Sequence, residues 1–332
     1  MAKLQASSIE KELVEARNRR RHGLADGAYY ETISRLATLE RSLSKLGSSA
    51  DEELYRHFPV AAISSLETHF KVTVTTIVNS GTSYLERGLA LSREKFMAAV
   101  DVLPLLDRRN ISTGELISHL LPFNSVASLE KTFSVLLDQD LKSLVKEVRD
   151  PYFSRTGLDE NPLVNDVSVL WENLAKTFER RHILAHESAD RYTVTFEQAQ
   201  TALTCVAEFS QAMDAILWVT IWKDAPLTQY EMNVHAANET RKVRAELAKK
   251  IKKALLIASE ESQRARFRRM YLKWREYYKL WIQWQDEHFV TGSIRPLMAA
   301  TNRTVAFKSQ LADISNWISQ IRPEEWSDNE AE

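Results

Sequence analysis

Only eight glycines and eight prolines interrupt the 332 residues of this chain. So few turn formers leave few places to reverse direction, which favours long helices with short connections. The apolar spacing agrees. Across 30–46, Ile33, Leu36, Leu39, Leu43 and Leu46 recur at three and four residues. Across 58–79, Val60, Ile63, Leu66, Phe70 and Val74 form a second stripe. The β-branched run 72–78 has strand propensity, but its length and register favour helix. Further helices are expected over about 91–105, 112–121, 125–149, 165–187 and 196–222. Gly47 stands where a helix-stopping glycine belongs; Ser48, Ser49 or Asp51 could cap the next helix, and Ser125 and Ser128 a later one. Residues 150–163 read as a turn-rich segment and 190–195 as a short extended connection. The expected fold class is all-α.

The length suggests two domains. Hydrophobic residues at 44% supply real cores, and 27% charged residues argue for a soluble surface. A net charge of −1 excludes polyanion binding by bulk charge and leaves only local clustering. The single cysteine, Cys205, cannot close an intrachain disulfide. It lies among Ala202, Leu203, Val206 and Phe209, the setting of a buried structural thiol rather than a nucleophile. The N-terminus has no apolar signal core, and no stretch approaches the roughly 18 uninterrupted apolar residues of a membrane span. The expectation is a cytoplasmic protein without a membrane partner.

Lys223-Asp224-Ala225-Pro226 breaks the chain after a long apolar helix, and the domain boundary belongs there. Beyond it the composition changes. Residues 241–280 carry 14 Lys/Arg against 4 Asp/Glu, with Trp274, Tyr277, Tyr278, Trp281 and Trp284 within or just behind. Helices are expected over about 228–258, 260–290 and 294–321. The basic residues could track RNA while aromatics stack bases, or they could form a solvated face. The spacing of Trp274, Tyr278 and Trp281 reads as one buried stripe. The organisation expected is a helical segment over 1–50, a helical domain over 51–224, a smaller helical domain over 228–320 and an acidic tail over 321–332.

One run carries the densest chemistry: Phe178-Glu179-Arg180-Arg181-His182-Ile183-Leu184-Ala185-His186. An arginine close to an imidazole can stabilise a phosphate and move a proton, as RNA cleavage requires. His182 and His186 share a helix face. Arg181 and His186 are about 140° apart around a helix, a gap a long side chain can swing across; Arg180 is the alternative arginine. Two other readings stand beside this one. Cations late in a helix complement its dipole. His182 and His186, with Glu187 next to them, could begin a metal site, though no third ligand stands out.

The run resembles the signature of the HEPN superfamily, all-helical domains many of which are ribonucleases. Tyr55-Arg56-His57-Phe58-Pro59-Val60 and Ser65-Leu66-Glu67-Thr68-His69-Phe70 are similar to the first core helix of its RiboL-PSP and MAE-type branch. The resemblance covers about residues 50–220. It implies a homodimer whose paired motifs face a shared cleft. Arg181 would hold the scissile phosphate, His186 would act as general base or acid, and His182 would orient either group. RNA would be cut by its own 2′-hydroxyl, leaving a 2′,3′-cyclic phosphate, with no metal and no cofactor. A toxin or anti-phage effector is implied, with a neutralising or sensor protein as partner. Many relatives carry Asn or Arg after the last histidine, where this chain has Glu187. Many HEPN domains are also non-catalytic, which leaves an RNA-binding or protein-interaction module as the alternative.

Thr228-Gln229-Tyr230-Glu231-Met232-Asn233-Val234-His235-Ala236-Ala237 resembles the start of a lysozyme-inhibitor-type (LprI-like) domain. Trp281-Ile282-Gln283-Trp284-Gln285-Asp286-Glu287-His288-Phe289 and Thr291-Gly292-Ser293 continue the pattern over about 228–315. His235 and Phe289 stand where that family has cysteines, and Thr301 or Asn302 falls near a later one. The scaffold is expected without its disulfides, reused in the cytoplasm. Inhibition of a glycan hydrolase is the third reading.

Overall fold

The computed structural model describes residues 28–98, 111–158, 161–186, 192–287 and 292–321. The described residues are helical, with turns and irregular connections and no strand among them. The fold is all-α, as the scarcity of turn formers implies. The chain folds as two compact units, Met1–Lys223 and Asp224–Glu332.

The first unit contains α1 (Ala28–Leu46), α2 (Glu52–Tyr55), α3 (His57–Asn79), α4 (Thr82–Ala98), α5 (Thr113–Leu120), α6 (Val126–Leu137), α7 (Leu141–Glu147), α8 (Pro151–Thr156), α9 (Val167–His186) and α10 (Phe196–Thr220). Helix α3 is its spine. Leu66, Phe70, Val74 and Ile77 are wholly buried and belong to one core with Leu36, Leu39 and Leu43 of α1, Leu129 and Phe133 of α6, Leu174 of α9 and Val206 and Phe209 of α10. The 72–78 run is helical despite its branching because Val74, Ile77 and Val78 fall on the buried face. The Thr75 hydroxyl bonds back to the Lys71 carbonyl at 2.8 Å. Gly114 lets α5 press onto α3. A Cβ there would stand 2.6 Å from Asn79 Oδ1 and 2.8 Å from the Thr75 carbonyl oxygen.

Local punctuation follows residue chemistry. Gly47 ends α1 at φ +70°, and Asp51 caps α2 by accepting from the Glu53 N–H. Ser125 caps α6, with Ser128 completing the reciprocal pair of bonds. Within the first unit, three of the expected stretches differ in the structure. The helix expected over 125–149 is two: Asp138 turns left-handed at φ 58° and Asp140 caps α7. The turn-rich 150–163 segment contains α8, with Asp150 as cap and Pro151 opening it. The helix expected to start at 91 begins at Thr82. The helical segment expected over 1–50 is described only from residue 28, and the expectations for 99–105 and for the acidic tail from 322 lie outside the described residues.

Helix α10 is long and apolar enough to cross a membrane, but most of its apolar window is buried inside the first unit, the environment of a core helix.

The second unit contains α11 (Gln229–Ile257), α12 (Glu261–Asp286) and α13 (Arg295–Ile321). Helices α11 and α13 run parallel. Asn233 donates to the Ser293 carbonyl at 3.3 Å, Thr240 to the Ala300 carbonyl at 3.0 Å, and Lys308 pairs with Glu239 at 3.0 Å. Val243, Leu247, Ala254, Phe307, Ile314 and Ile318 form their shared core, flanked by Phe267, Trp274 and Tyr278 of α12. The single buried stripe expected through Trp281 is corrected. The inward series is Trp274, Tyr278 and Ile282, in strict steps of four, and Trp281 is exposed. One residue short of Ile282, Trp281 is rotated about 100° from it.

Candidate functional site

Helix α9 is anchored before it presents chemistry. The Asp166 carboxylate accepts from the N–H groups of Ser168 and Val169 at 2.9 and 3.1 Å. Leu170, Trp171, Leu174, Thr177 and Phe178 then bury one face. The Trp171 indole donates to Glu130 at 2.8 Å, and Lys142 approaches the same carboxylate at 3.4 Å. Phe178 is the last buried ring, packed on Phe123 at 5.2 Å. Past it the helix rises out of the core. Leu184 still touches the core, Arg181 is half-buried, and His182 and His186 are exposed.

The three candidate residues come together at this helix end. An Arg181 Nη1–H donates to His186 Nε2 at 3.2 Å, so the arginine crosses the gap between the two faces. Nε2 is an acceptor here because a guanidinium can only donate, which puts the neutral ring's proton on Nδ1. The rings of His182 and His186 lie 5.2 Å apart at 49°. Arg180 is half-buried, and no bond joins it to either histidine. Among the described residues no group of three His, Cys, Asp or Glu side chains could hold a metal ion. Glu187 lies outside the described residues.

Arg56 has a part that the sequence did not disclose. Its Nε–H donates to the Tyr192 carbonyl at 2.7 Å and its guanidinium pairs with Glu53 at 2.6 Å. It thus fixes the irregular segment leading into α10 to the start of α3. The only advance sign was its place in the motif-like 55–60 segment. His69, from the neighbouring segment, is buried within α3.

Cys205 is buried, its thiol donating to the Ala202 carbonyl at 3.4 Å and lying 3.6 Å from the Thr177 hydroxyl. Burial pushes the thiol up to about 11. A thiol so rarely ionised is structural.

In the second unit His235 is exposed, as is Thr301, while Asn302 is half-buried. His288 and Phe289 lie outside the described residues. With no cysteine beyond position 205, α11 and α13 are joined by hydrogen bonds, the Thr240 and Thr304 hydroxyls meeting at 2.8 Å.

Residues 223–311 match the family model described as lysozyme inhibitor LprI. The match spans α11, α12 and the first part of α13, so the second unit carries an LprI-like region. No curated protein and no solved structure matches the chain.

Proposed function

We propose that the first unit is a metal-independent endoribonuclease. The observation that carries this reading is the solvent-exposed bond from the Arg181 guanidinium to His186 Nε2 at the end of α9. A phosphodiester arriving at Arg181 competes for the N–H now spent on His186. Arg181 then binds the phosphate oxygens and meets the charge that develops on them. Nε2, released, takes the proton of the RNA 2′-hydroxyl as it attacks the adjacent phosphorus. His182 steadies the His186 ring from the next turn back. The 5′-oxygen leaves as it takes that same proton back from His186 Nε2, which restores the neutral ring, and the product ends in a 2′,3′-cyclic phosphate. The balance needs neither metal nor cofactor. The active form is a homodimer with two such ends in one cleft. A cell carrying it would need a neutralising or sensor protein, as for a toxin or a defence effector.

The test is cleavage of total RNA in EDTA by the parent, Arg181→Ala and His186→Ala. Each substitution is expected to lower the rate by about 10²-fold or more, with cyclic phosphate ends on the parent's products only. Equal cleavage by all three, or none by the folded parent, removes the reading. RNA binding without scission that survives both substitutions assigns a binding module instead.

The match over 223–311 favours a second activity, inhibition of a glycan hydrolase by the LprI-like region. Turnover of a lysozyme substrate should then fall as the full chain is added in molar excess. An unchanged rate eliminates it.

A further inference from the structure

Helix α12 has two apolar faces, and the core uses only one. Phe267, Trp274, Tyr278 and Ile282 face α13; Phe267 approaches Trp317 at 6.3 Å and Tyr278 approaches Phe307 at 5.3 Å. The other face carries Tyr277, Trp281 and Trp284, which are 62%, 43% and 53% exposed. Burial in the core explains none of that area. Exposed rings at three- and four-residue spacing make a continuous stripe. Their planes are nearly parallel. Tyr277 and Trp281 are 6.5 Å apart at 17°, and Trp281 and Trp284 are 5.2 Å apart at 29°.

The same stripe continues toward the helix start through Lys273, Met270 and Arg266. There it meets a cleft of about 570 Å³ walled by Arg266, Met270, Trp317, Ser259 and Gln263. Helix α12 carries seven Lys/Arg against three Asp/Glu. Lys273 pairs with Glu276 at 2.8 Å and Arg268 with Glu261 at 3.0 Å, but Arg266, Arg269, Arg275 and Lys279 form no ion pair with a described residue.

We infer that this face of α12 binds single-stranded RNA, its bases stacking on Tyr277, Trp281 and Trp284 and its phosphates running along Arg266 and Arg269. Charge decides among occupants. A second copy of this helix would set the same uncompensated cations against one another. An acidic peptide satisfies the cations but brings no flat ring to each aromatic step. A nucleic acid strand supplies both a negative charge and a π-face at every residue. The cleft beside Arg266 and Met270 gives one splayed base a place between apolar walls, with the Gln263 amide and Ser259 hydroxyl to meet its edge. Binding at this face goes beyond the ribonuclease reading and does not depend on cleavage at Arg181 and His186.

The test uses the full chain and a fluorescent single-stranded 2′-O-methyl RNA of about a dozen nucleotides. That strand has no attacking hydroxyl, so binding is measured whether or not Arg181 and His186 cut RNA. The parent should bind with an affinity that falls as salt rises. Tyr277→Ala, Trp281→Ala and Trp284→Ala should each weaken it about tenfold. Arg266→Gln with Arg269→Gln should flatten the salt dependence. These side chains are exposed, so far-UV circular dichroism of each variant should match the parent. No binding by the parent, or equal affinity for the ring variants, overturns the inference. So does a result in which the ring variants lose only self-association in sedimentation, since the occupant is then a second copy. A poly-dT strand bound as tightly as the RNA would overturn the RNA assignment while leaving the stacking face.

Discussion

Asp214 lies half-buried on α10, and burial pushes its carboxyl up to about 6, partly offset by a hydrogen bond from Trp218. Glu208, a turn and a half earlier, is raised for the same reason. The sign of the linkage is the reverse of that for a salt-bridged carboxylate. Between the ordinary aspartate value of 3.8 and about 6, the native state holds a proton that the unfolded chain releases. Stability therefore falls as pH rises through that window and stays low above it. Asp214→Asn removes the ionisation while keeping an acceptor for Trp218. It should stabilise the protein at pH 7 by about 1–2 kcal/mol, after discounting the full shift for partial solvent access. It should leave stability at pH 4 nearly unchanged. Urea titrations at the two pH values check this; a gain of equal size at both would show that desolvation of the carboxylate is not the cause. The Arg181–His186 pair presents a different residue-level case. Its members were identifiable because Arg, His and His occur together in one helical run. Their bond was not, because helical phase alone sets them apart and only the reach of the arginine side chain joins them.

The helices themselves were readable wherever a buried face repeats at three and four residues, as in α1 and α3. The misread stretches at 138–140 and 150–151 share a cause: a local polar or special backbone choice that periodicity does not register. The apolar pattern runs through 138–140, yet Asp138 adopts φ 58°, held by Arg87 at 2.9 Å, and the Leu141 N–H turns to the Ser134 hydroxyl at 3.0 Å. Asp-Gln-Asp was the available signal, since a short acidic side chain both tolerates the left-handed region and caps the following helix. Helix α12 shows the opposite limit. Its aromatics satisfy helical spacing on two faces at once, so periodicity could not say which set is core. Parallel packing of α11 on α13 decides it, because that pair offers Phe307 and Trp317 to only one side of α12. The exposed set is the one that carries the RNA-binding inference.

Each compact unit closes its own hydrophobic core. The core built around α3 and the core shared by α11 and α13 have no residue in common. Cooperative unfolding follows contiguous buried contacts, so damage to one core should be felt within that unit first. Leu247 is 1% exposed between α11 and α13. Leu247→Ala should cost about 2–5 kcal/mol through lost transfer energy and the cavity left behind. Hydrogen exchange read by mass spectrometry should then show faster exchange across α11, α12 and α13, with α3, α9 and α10 protected as in the parent. Loss of protection spreading equally into α3 would mean that one cooperative unit spans the chain. The localised outcome would also separate the two proposed activities physically. The Arg181–His186 pair would keep its geometry while the α12 face loosens, so cleavage of short RNA should persist as binding of the 2′-O-methyl strand falls.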